Sequence, residues 1–78
     1  MIYLIDYDRR AGRLLSTTPF SEERREEAQN LRLEIELSLA RQGIDREVIL
    51  LEAANENALR RTHRRYFEDL AALVESPK

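Results

Sequence analysis

Leu31-Arg32-Leu33-Glu34-Ile35-Glu36-Leu37-Ser38-Leu39 alternates apolar and polar residues along its length. Alternation alone describes a half-buried strand. The flanking residues reverse that reading. Gly43 stands where a left-handed residue closes a helix, and Ile44 behind it is placed to reach back to Leu39. Ser21 is an N-cap type, and Glu22, Glu23, Glu26 and Glu27 crowd the first turns, where the helix dipole favours negative charge. Residues 22–42 therefore read as one helix. Wound as a helix, the segment carries two apolar stripes: Ala28, Leu31, Ile35 and Leu39 on one side, and Leu33, Leu37 and Ala40 on another. A helix with two stripes needs cover on two sides.

Upstream, Ile2 to Asp8 is built of strand formers. Ile2, Leu4 and Asp6 point one way and Tyr3, Ile5 and Tyr7 the other, so both faces are apolar at the start, as in a central strand. Asp8-Arg9-Arg10-Ala11-Gly12 suits a type I turn closed by a left-handed glycine. Residues 13–18 return as a second strand, with Leu14 and Leu15 on opposite faces and Pro19 as its stop. Downstream, Glu47 to Glu52 encloses Val48-Ile49-Leu50-Leu51, a short buried strand. Asn55 caps a last helix expected over residues 56–75, with Leu59, His63, Tyr66, Phe67, Leu70, Leu73 and Val74 on one broad face. The fold class is α+β, in the order β-β-α-β-α. A crossover through the long helix sets the third strand beside the first, giving a three-stranded, mainly antiparallel sheet of order 2-1-3 packed with two helices.

The chain has 78 residues, room for one domain over residues 1–75 with 76–78 a frayed tail. So short a chain buries only about 60% of its unfolded surface. Small domains offset that with disulfides, a metal or self-association. Cysteine is absent, which excludes disulfides and thiolate metal sites, and the single histidine, His63, makes no zinc site. Asp6 and Asp8 could begin a magnesium site but lack a third oxygen ligand. No cofactor is expected. Self-association remains, so a homodimer is expected, with Leu33, Leu37, Ala40, Tyr3 and Tyr7 as candidate interface residues. The net charge of −2 argues against general nucleic-acid coating. No run is apolar enough for a membrane span, and the N-terminal residues do not form a signal peptide. A cytoplasmic location follows as the expectation.

Thr62-His63-Arg64-Arg65-Tyr66-Phe67 holds the densest chemistry. His63 and Tyr66, three apart, would meet on a helix face and could shuttle a proton if a carboxylate such as Asp6 or Asp8 lay near. A packed ring at the core edge is the plainer role for His63. Arg60, Arg61, Arg64 and Arg65 form a basic cluster that could grip phosphates, enlarged by Arg9, Arg10 and Arg13 if the hairpin tip lies on the same side. Pairing with Glu56, Glu68 and Asp69 at helical spacing would cancel part of it. Tyr3 and Tyr7 could stack bases if exposed, but cover by a helix or a second subunit suits them better. No phosphate loop, nucleophile elbow or helix-turn-helix is present. The sequence thus favours a non-enzymatic protein-interaction module, with a nucleic-acid or phosphate binder next and a small enzyme around His63 and Tyr66 last.

Overall fold

The computed structural model describes residues 1–67. They form β1 (Ile2–Asp8), β2 (Arg13–Phe20), a 3-10 turn (Glu22–Arg24), α1 (Arg25–Gln42), β3 (Glu47–Glu52), α2 (Glu56–Thr62) and a second 3-10 turn (Arg64–Tyr66). The sheet order is β2-β1-β3, and β1 pairs antiparallel with both neighbours. This is the α+β architecture and strand order expected from the sequence.

The hairpin turn is held from within. The Asp8 carboxylate accepts from the Arg10 and Ala11 amides, and the Gly12 amide returns to the Asp8 carbonyl at 2.8 Å. Gly12 sits at φ 65°, which only glycine adopts cheaply. Beyond the turn β2 differs from expectation in two ways. Its register against β1 shifts between Asp6 and Tyr7, so Leu15 is the extra residue of a bulge, left exposed, while Leu14 faces Tyr7. Pro19 does not end the strand, which runs on to Phe20. The reason lies in the pairing. The Ala53 amide donates to the Met1 carbonyl, so the odd-numbered residues of β1 turn their backbone groups toward β3. Pro19 faces Tyr3, a pair without ladder bonds on the β2 side, and its missing N–H points off the open edge.

The long helix begins in a 3-10 turn and is α-helical from Arg25. Ser21 does not cap it with its hydroxyl; only its carbonyl takes part, accepting from the Arg24 amide at 3.0 Å. Arginines and the N-terminal amine hold the acidic residues here. Met1 reaches Glu22, Arg25 bridges Glu22 and Glu52, and Arg24 grips Glu27. The other end closes as expected. Gly43 at φ 68° is left-handed, its amide donates to Ala40 and the Ile44 amide to Leu39, the two bonds of a Schellman motif.

The sheet divides the core in two. On one face Ile2, Leu4, Phe20 and Val48 pack with Ala28 and Leu39 of α1, flanked by Leu31, Ile35 and Leu50. On the other, Tyr3, Ile5 and Tyr7 are buried against Leu59 and Tyr66, flanked by Leu14, Ile49, Leu51 and Phe67. The last helix is shorter than expected. Asn55 caps it through the Ala58 amide, but it stops at Thr62. His63 leaves the helical region at φ −126°, ψ 52°, and the Thr62 hydroxyl bonds back to the Ala58 carbonyl. The break turns Tyr66 edge-on to Tyr7, with ring centroids 5.2 Å apart. The expected continuation to residue 75, its apolar positions Leu70, Leu73 and Val74, its acidic partners Glu68 and Asp69, and the tail 76–78 lie outside the described residues. No helix among the described residues is long and apolar enough to cross a membrane.

Candidate functional site

Glu47 opens β3 directly opposite Tyr7 of β1. That register puts its carboxylate at the rim of the second core, where its side chain is only 13% exposed. Three side chains from two distant parts of the chain converge on it. The Tyr66 hydroxyl donates at 2.5 Å, the Arg65 guanidinium at 3.0 and 3.2 Å, and Arg9 Nε from the hairpin tip at 3.4 Å. Arg65 also donates to the Tyr66 oxygen at 2.7 Å and lies over the Tyr66 and Tyr7 rings, 4.2 and 5.7 Å from their centroids. The Tyr66 hydroxyl, followed by Arg65 and Arg9, holds the Glu47 carboxyl below the usual carboxylate range against the pull of burial. Burial, reinforced by the Glu47 charge, pushes the Tyr66 phenol up.

This arrangement answers one sequence expectation and replaces another. Arg9 and Arg65 share one carboxylate, so the hairpin tip and the end of the last helix lie on one side of the molecule. They meet there as partners of an acid. Arg9 also pairs with Asp45 at 3.8 Å, and Arg60 pairs with Glu56 at 2.8 Å while lying over Phe67. Arg61, Arg64 and Arg10 are exposed, and among the described residues the Arg61 side chain makes no ion pair. His63 and Tyr66 do not form a dyad. The phenol is committed to Glu47, and among the described residues the half-buried His63 ring makes no hydrogen bond. Neither aspartate supplies a carboxylate there. Asp8 serves the hairpin turn, and Asp6 faces Arg46, whose Nε is 3.4 Å from Oδ1 without hydrogen-bond geometry. No group of acidic or histidine side chains among the described residues converges as a metal site would.

The candidate interface residues separate into two sets. Tyr3 and Tyr7 are covered by the chain's own α2 and the turn after it, so they offer no open aromatic surface. Leu33 and Leu37 are 52% and 49% exposed, and Ala40 is exposed beside them. The helix therefore buries one stripe in the first core and leaves the second open, so of the two sides expected to need cover the chain's described residues cover one. Sequence reasoning missed Glu47, whose part depends on the β1–β3 register and on the break at His63. Comparison of the chain with protein-family models, with curated proteins and with solved structures found no match.

Proposed function

We propose that the chain is a non-enzymatic protein-interaction module that works as a homodimer. The observation that carries this reading is the open stripe of α1, where Leu33 and Leu37 keep about half their surface on a helix whose opposite side is packed. Burying each on a copy is worth roughly 1–2 kcal/mol, a substantial gain for so small a core. Light scattering behind size exclusion tests it. At tens of micromolar the wild type elutes as a dimer, and Leu33→Glu with Leu37→Glu elutes as a monomer of unchanged helix content. A monomeric wild type at that concentration overturns the reading.

A nucleic-acid or phosphate binder is the second reading. It draws support from the convergence of the hairpin tip and the helix end on one side. Against it, Arg9, Arg60 and Arg65 are already neutralised by glutamates and Asp45. It requires oligonucleotide affinity that falls steeply with salt and weakens in Arg61→Ala. Gel shifts at low salt without binding end it.

A further inference from the structure

The two edges of the sheet are built differently. β2 carries a bulge, a proline and a polar run, Ser16 to Thr18, devices that discourage a further strand from pairing. β3 carries none of them. Its register with β1 is unbroken, it holds no proline or lysine, and its middle is Val48-Ile49-Leu50-Leu51. Among the described residues no strand lies beyond it. The Ala53 amide points to β1, so Leu51, Ile49 and Glu47 do the same, and the backbone groups of Val48, Leu50 and Glu52 face outward. Ile49, Leu50 and Leu51 are only half-buried, although both sheet faces bear a helix.

The helix above leans the same way. α1 packs chiefly on β3 and β1. Arg25 reaches Glu52 of β3 at 2.7 Å, and Arg24 stacks over Phe20 of β2 at 4.8 Å, so the two flanks of the helix are identified. At a 3.6-residue period, Gln29, Glu36, Ala40 and Leu33 fall within about a quarter turn of Arg25. Ala40 and Leu33 of the open stripe therefore lie on the flank toward the unprotected edge, with Leu37 about a third of a turn from Arg25 and nearer the top of the helix.

We infer that two copies join along β3, antiparallel about a two-fold axis at Ile49, making a six-stranded sheet with both α1 helices side by side on one face. This rests on the homodimer reading and gives it a geometry. Neighbouring strands lie about 4.8 Å apart, so a helix seated between β1 and β3 is about 10 Å from its copy, a normal packing distance. Ile49 is about 10 Å along β3 from Glu52, the rise of some seven helical residues beyond Arg25, which brings the Arg32–Leu33 level of α1 to the axis. The register sets Val48 opposite Leu50 of the copy and Arg46 opposite its Glu52. Shifting the axis to Leu50 would instead oppose Glu52 to Val48. The antiparallel helices lay the acidic start of one beside Arg41 of the other.

Two measurements on the full chain test the geometry. Amide exchange followed by NMR in the wild-type dimer slows Leu50 about 100-fold relative to the outward Thr17 amide of β2, and dilution to monomer removes the difference. In a chain without native cysteine, Ile49→Cys closes a disulfide across the axis under mild oxidation, while Leu50→Cys and Thr17→Cys do not. A dimer by scattering whose Leu50 amide exchanges like Thr17 overturns the strand pairing and leaves the dimer standing. So does cross-linking at Leu50 or Thr17 in place of Ile49. A monomer by scattering removes both.

Discussion

The Glu47 carboxylate receives donors from Arg9 at the hairpin tip and from the adjacent Arg65 and Tyr66 near the other end of the described chain. Removing one donor leaves the charge half-buried with fewer partners, the costlier half of the hydrogen-bond ledger. Tyr66→Phe, which keeps the ring against Tyr7, is expected to lower stability by about 1–2 kcal/mol in urea unfolding and to raise the Glu47 carboxyl pKa followed by NMR. The sign of the pH dependence follows from the same group. Glu47 is more acidic folded than unfolded, so its contribution is present above the unfolded value near about 4.3 and fades as pH falls through the lower folded value. Glu27 and Glu52 are lowered by Arg24 and Arg25 and share that direction. The urea midpoint should thus drop between pH 7 and pH 3, and Glu47→Gln should show a smaller drop. His63 and Tyr66 were visible in the sequence as chemically unusual residues, but their partner was not. A glutamate at the head of an apolar run reads as a strand boundary, and only the pairing of Glu47 with Tyr7 turns it toward the aromatic cluster.

At the scale of elements, the alternating stretch Leu31 to Leu39 is helical because its ends say so. Gly43 is the clearest of those signals. A β-carbon there meets nothing within 4 Å, so Gly43→Ala isolates the backbone term. It should cost about 1 kcal/mol by thermal or urea unfolding, with no change in the packed core. The third strand and the cap at Asn55 were legible for the same reason: each is written in neighbouring residues. The break after Thr62 was not. Apolar spacing continues smoothly through His63 to Phe67, and the break at His63 accompanies the seating of Tyr66 against Tyr7, a contact between distant parts of the chain. Pro19 sits within β2, where its sequence suggests a stop, for a related reason. Its place on an open edge, with no donor required, is a property of the sheet and not of the strand.

For the whole molecule, β1 is the wall between two cores that share no buried side chain. Ile5 is fully buried on the side held by α2, and Ile2 on the side held by α1. Ile5→Ala should cost about 2–5 kcal/mol and expose the tyrosine cluster, seen as a change in near-ultraviolet dichroism with α1 helicity retained. Two-sidedness of β1 was evident from Ile2 to Tyr7 in the sequence. Which helix took which face was not, since either could have covered either until the crossover of α1 onto β3 was known.

That wall has a consequence for the order of events during synthesis. β1 emerges from the ribosome before α1 and β3, and Leu59 and Tyr66, which close its second face, follow only after both. At roughly 5–20 residues per second the hairpin and α1 wait several seconds with Tyr3, Ile5 and Tyr7 uncovered. The nascent chain thus passes through a stage at which half of its fold is assembled around an aromatic surface open to solvent. A holding chaperone has its opportunity in that interval, and a stall in translation before Leu59 would prolong it.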